Sequence, residues 1–180
     1  MLTLEKFEEA SEIVKKVTQD TKLVYSDYFS AQTGNKVYLK PENMQKTGAY
    51  KLRGAYYKIS TLSPEERAKG LITASAGNHA QGVAYAAKAF GVKAVIVMPT
   101  TTPLIKVERT KSYGAEVVLY GNVYDEACEH AYKLAEENGY QLYFKHTSFL
   151  KDENMNCNAT FFNFPIIATP EWAYQLIWKN

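Results

Sequence analysis

Two short stretches of this 180-residue chain hold the side chains best suited to chemistry. In Thr47-Gly-Ala-Tyr-Lys-Leu-Arg-Gly-Ala55, Lys51 sits beside Tyr50 and the small residues Gly48 and Ala49, at the start of a helical pattern. A lysine amine drawn partly out of water is a nucleophile able to form a Schiff base with a carbonyl. In Thr73-Ala-Ser-Ala-Gly-Asn-His-Ala-Gln-Gly82, the small and polar residues Ser75, Ala76, Gly77, Asn78 and His79 fall between an apolar run and a second helical pattern. A strand that turns into a helix at the carboxyl edge of a parallel sheet presents outward-pointing amides of partial positive charge, and so suits a phosphate or a carboxylate. Each residue also has an ordinary reading. Lys51 fits a surface lysine at a helix end, Asn78 an N-cap and His79 a packed or capping histidine. Gly77 and Gly82 fit turn geometry and close packing. Local sequence leaves these alternatives open.

The elements that must position these residues are legible from periodicity. Leu4, Phe7, Ala10, Ile13, Val14 and Val17 follow a helical period over 4–18. Val37–Leu39 reads as a strand stopped by Pro41. Leu52, Ala55, Tyr56 and Ile59 mark a helix after Lys51, and Ser63-Pro64-Glu65-Glu66 opens a short one by cap and first-turn proline. From Gly70 the chain alternates strand and helix: "LITA", "AVIVMP", "EVVLYG" and "QLYF" are strands, and the helices between them end at Gly91, Gly114 and Gly139. That alternation predicts an α/β fold with a four-stranded open parallel sheet flanked by helices within 70–145, and Lys51 near its carboxyl end. After residue 145 the alternation stops.

Composition narrows the function classes. A net charge of +2 with no basic stripe gives no reason to expect nucleic acid. No apolar run reaches the roughly 20 residues of a membrane span. Acidic residues interrupt the apolar pattern of the N-terminus, unlike a signal peptide. Cys128 and Cys157 lack metal-site spacing and read as reduced thiols, so the expectation is a cytoplasmic protein.

Taken together, "ENMQKTGAYKLRGA", "SAGNHAQG" and "GVKAVIVMPTTTPLIKVERTKSYGAEVVLYG" resemble the fold-type-II pyridoxal-phosphate enzymes, and among them the threonine ammonia-lyases (threonine dehydratases) of the catabolic kind, over about residues 5–143. The resemblance implies the small domain of the tryptophan synthase β-like fold, in truncated form. It divides the chain into residues 1–49 as an arm of the large domain, 50–145 as the small cofactor-binding domain and 146–180 as an unmatched, poorly packed tail. It implies pyridoxal 5'-phosphate as cofactor, with Lys51 as the Schiff-base lysine, Tyr50 flanking the cofactor and Asn78 hydrogen-bonding the 3' oxygen of its ring. The amides of Ser75, Ala76, Gly77, Asn78 and His79 would grip the carboxylate of an amino-acid substrate.

The implied reaction is β-elimination of L-threonine to 2-oxobutanoate and ammonia, and of L-serine to pyruvate. Other enzymes of the fold type, such as serine dehydratase or serine racemase, are the nearest alternatives; a non-catalytic fragment binding a paralogue or ligand is the alternative of another class. Ala76 stands where the racemases of this fold type carry an acid/base serine, which favours elimination over racemisation. Full-length relatives are expected to be homo-oligomers. Their glycine-rich phosphate loop and the group facing the pyridine nitrogen have no counterpart here, Cys157 included, so the chain alone is expected to be inactive. His146-Thr147-Ser148-Phe149, read one base later, can spell the family's Ile-His-Pro-Phe, which suits a shifted or disrupted frame; a short or misassembled reading frame is the alternative.

Overall fold

The computed structural model describes residues 3–142. The chain opens with α1 (Leu4–Val14), which Thr3 caps by accepting from the Lys6 amide. A short arm follows: β1 (Val24–Tyr25), α2 (Asp27–Thr33) and β2 (Tyr38–Leu39). β1 and β2 pair antiparallel as a separate two-stranded sheet. The strand expected at 37–39 is thus two residues long. Val37 instead uses its carbonyl to accept from the Ser26 amide and its own amide to donate to Ser30 Oγ. A 3-10 turn, Glu42–Met44, then leads to α3 (Lys51–Ser60) and α4 (Pro64–Ala68). Ser63 and Glu66 form the expected reciprocal cap of α4, with Ser63 Oγ accepting from the Glu66 amide at 3.2 Å.

The four-stranded sheet is present, in the order β5 (Glu116–Leu119), β4 (Ala94–Met98), β3 (Leu71–Ala74), β6 (Gln141–Leu142), and every pair is parallel. Three helices join these strands: α5 (Asn78–Ala89), α6 (Leu104–Ser112) and α7 (Tyr124–Asn138). Strand alternation divides the core in two. Leu71, Ala94, Ile96 and Met98 face a cluster shared with α3, α5 and α6 through Leu52, Ile59, Val83 and Val107. Ile72, Ala74, Val95 and Val97 face Ala127, Ala131 and Ala135 of α7. β3 and β4 are buried on both faces, which explains their apolar runs, interrupted only by the buried Thr73.

The chain runs from β3 outward to β4 and β5, then returns past β3 to place β6 on its other side. The strand order therefore reverses at β3. The crevice beyond the carboxyl end of β3 is the switch point at which open α/β sheets bind ligands. The poorly packed tail expected at 146–180 lies outside the described residues.

The carboxyl edge of the sheet is latched by local bonds. Thr100 Oγ1 donates to the Gly121 carbonyl and Thr101 Oγ1 to the Asn122 carbonyl, tying the loops after β4 and β5 together. Glu126 then accepts from the amides of Asn122 and Val123 at the start of α7. Gly121 has φ +69°, and a Cβ there would collide with the Glu126 side chain. Gly121→Ala is expected to destabilise the protein by about 2 kcal/mol, combining left-handed strain with a lost helix cap. Urea unfolding of the variant against wild type checks this.

Candidate active site

The turn between β3 and α5 is built by one hydroxyl. Ser75 Oγ accepts from the amides of Gly77 at 3.4 Å and Ala80 at 3.3 Å. It does the capping that Asn78 offered from sequence, because Asn78 is the first residue of α5 and the N-cap position falls to Gly77, which has no side chain to give. The Ser75 amide is also engaged, donating to the Val97 carbonyl and extending the β3–β4 ladder by one bond. Of the turn amides, those of Ala76 and Asn78 face no acceptor among the described residues. Asn78 is exposed, Ser75, Ala76 and Gly77 are half-buried, and His79 is packed inside.

The backbone of Lys51 packs, at a glycine, against the helix that follows this turn. Lys51 is the first residue of α3, and α3 packs along α5. At Gly82, in the second turn of α5, an added Cβ would lie 3.2 Å from the carbonyl carbon and oxygen of Lys51 and from the Leu52 nitrogen. The two helices touch backbone to backbone only because Gly82 has no side chain. The start of α3 is thereby held against the helix that the 75–79 turn opens, although Lys51 and the turn are 24 residues apart in sequence at their nearest members. Lys51 and Tyr50 are half-buried, and burial pushes the Tyr50 phenol up, so it stays a neutral donor. Gln81, next to Gly82, is 3% exposed, and its Oε1 has no hydrogen-bond partner.

A polar network that periodicity does not announce lies behind Lys51. Glu42 accepts from Arg53 Nε at 2.9 Å and Arg53 Nη2 at 3.0 Å, from Thr21 Oγ1 at 2.5 Å and from Gln45 Nε2 at 3.3 Å. Burial pushes the Glu42 carboxyl up, but the bonds from Arg53 and Thr21 outweigh it and hold the group below the ordinary carboxylate range. Gln45, 3% exposed, bonds the main chain of Gln19 in both directions at 2.9 Å. The signal available in sequence was "ENMQ" so close ahead of Lys51-Leu-Arg53, but its partners Gln19 and Thr21 lie too far back for any periodicity to show.

The groups at this edge fit pyridoxal phosphate. A primary amine stands at a helix start, free turn amides suited to an anion lie at the neighbouring helix start, and a side-chain-free wall at Gly82 lets the two approach. Among the described residues no group of His, Cys, Asp and Glu could hold a metal ion, and no helix is long and apolar enough to cross a membrane.

Comparison with known proteins agrees with this geometry. Residues 14–161 match the profile of the pyridoxal-phosphate dependent enzymes. The chain is 53% identical over 139 residues to an L-threonine ammonia-lyase of Thermotoga maritima, covering 77% of this chain and 35% of that protein. It is 50% identical over 140 residues to a catabolic L-threonine dehydratase of Staphylococcus aureus, covering 40% of it. The chain thus spans two fifths or less of the curated relatives it matches. Among solved structures it is similar to the processed form of threonine deaminase isoform 2 from Solanum lycopersicum (41% identity, TM-score 0.71, 81% of this chain and 44% of that one). It is similar also to maize serine racemase (34% identity, TM-score 0.76, with the same coverage).

Proposed function

The chain belongs to the pyridoxal-phosphate dependent enzymes, and on that premise we propose that it is the lysine-bearing part of a threonine ammonia-lyase, releasing 2-oxobutanoate and ammonia from L-threonine and pyruvate from L-serine. The observation that supports this reading is the backbone contact at Gly82, which packs the start of α3 against the helix opened by the turn at the switch point of the sheet. Pyridoxal phosphate, when bound, supplies an aldehyde that takes amines and a ring that stores the electrons of a breaking Cα–H bond. The chain's own residues do the rest. Lys51 would hold the cofactor through its Nζ and, once freed by the substrate amine, would take the Cα proton as the β-hydroxyl leaves as water. Tyr50 would flank the cofactor ring, and Asn78 would orient it through a hydrogen bond to its 3' oxygen. The turn 75–79 binds the substrate carboxylate, with the Ala76 and Asn78 amides as its open donors. Ala76 has no transferable proton, so nothing at that position serves the second face of the substrate, and elimination is favoured over the racemisation named for the maize neighbour.

In the same reading residues 1–49 are an arm of a larger domain, 50–145 are the small domain, and the complete protein is a cytoplasmic homo-oligomer. The amine and the carboxylate turn form one wall of the site. A phosphate dianion needs several charge-assisted bonds from elsewhere, each contributing roughly 1.5–3 kcal/mol, so the 180 residues alone should turn over little.

A chimera tests the reading. The 139 aligned residues replace their counterparts in the Thermotoga maritima protein, and 2-oxo acid is followed with threonine, serine and no substrate. Threonine-dependent 2-oxobutanoate at a rate within about tenfold of the parent is expected, since a displacement well under 1 Å costs less than the roughly hundredfold of a full one. A folded, cofactor-loaded chimera that leaves threonine intact contradicts the proposal.

A further inference from the structure

We infer that Glu42 and Arg53 are a positioning pair that holds the Lys51 amine at the turn, rather than only a stabilising ion pair. The inference rests on the reading of Lys51 as the lysine that takes the cofactor. α3 begins at Lys51, and its N-cap, Tyr50, makes no side-chain capping bond. A helix start without a side-chain cap lacks one of the bonds that hold a first turn and frays readily. Arg53, in that first turn, is held from outside the helix: its fork meets both oxygens of Glu42. Glu42 is itself fixed by Thr21 and Gln45, and Gln45 is clamped in both directions to the main chain of Gln19.

The same clamp runs forward along the chain. The Gly48 amide donates to the Gln45 carbonyl at 2.7 Å, and the Arg53 amide to the Tyr50 carbonyl at 3.0 Å. On its other side the Lys51 backbone rests against Gly82. Lys51 is therefore held between a polar anchor drawn from three chain segments and the helix that carries the turn. The bonds of this network run to the first turn of α3 through Arg53, and the pair acts on Lys51 through the backbone of that turn.

The test needs no turnover. The chain is mixed with pyridoxal phosphate, the covalent adducts are trapped with borohydride, and labelled lysines are mapped by peptide mass. Label on Lys51 is expressed relative to the exposed Lys111 and Lys133, whose reactivity a merely structural change does not move. Glu42→Gln, at unchanged circular dichroism, is expected to lower the Lys51 share about tenfold, in line with a displacement of a fraction of an ångström. Arg53→Lys, which keeps the charge but not the fork, should lower it alike, and the double variant should do no more than either single one. Glu42→Asp keeps the carboxylate and should recover part of the loss; it and Arg53→Lys decide the matter if Glu42→Gln does not fold. An unchanged Lys51 share in folded variants overturns the inference while leaving the reading of Lys51 intact. Wild-type chain with no preference for Lys51 overturns both.

Discussion

Replacing Lys51 with alanine in the chimera is expected to lower threonine deamination about 100- to 10,000-fold, the range over which a positioned acid–base group contributes. Lys51 has two tasks in the proposed reaction, attachment of the cofactor and removal of the Cα proton. The two tasks separate in an experiment. A small exogenous amine can restore proton transfer to Lys51→Ala but cannot restore a tethered cofactor. Lys133→Ala, exposed on α7, serves as the control and should change activity little. If Lys51→Ala retains activity while Lys133→Ala does too, the amine that matters lies elsewhere.

Gly82→Ala should separate stability from function. The new methyl group would stand 3.2 Å from the Lys51 carbonyl, tighter than ordinary van der Waals contact, so α3 must yield by a few tenths of an ångström. Alanine also favours the helix over glycine by about 1 kcal/mol, which offsets the crowding and leaves the melting temperature nearly unchanged. Activity has no such offset. Displacing the Lys51 backbone relative to the turn is expected to lower it about tenfold, given that a full ångström costs roughly a hundredfold. Gly82→Val adds two more carbons, with no room for them, and should also lose about 1–3 kcal/mol of stability. Thermal melts and initial rates on the same preparations check both halves. A Gly82→Ala chimera as fast as its parent would show that the helix contact does not set the amine's position.

The parts legible in the sequence were those governed by short-range rules. β3 and β4 announced themselves as apolar runs because both their faces are buried, and the serine and glutamate of α4 formed the cap that their spacing prescribes. The arm was less legible. α2 is a seven-residue helix that buries only Ser30, so it has no apolar stripe to detect. β1 and β2 expose Val24, Tyr25, Tyr38 and Leu39, which gives them no alternation. In the site, Lys51 and the turn were found as motifs, but the packing of their two helices depends on Gly82, whose lack of a side chain matters only once α3 lies against α5. Ser75 displaced Asn78 as the cap because the chain bends before the helix begins, a choice of one residue that composition does not encode. Glu42, Arg53 and Gln45 were passed over because their partners lie up to 26 residues away.

The most direct test is the adduct map of the unaltered chain with pyridoxal phosphate and borohydride. Lys51, half-buried, should carry more label than the exposed lysines, and threonine added before trapping should lower that label and no other. Label spread over the lysines according to exposure, with Lys51 unremarked and threonine without effect, would contradict the account.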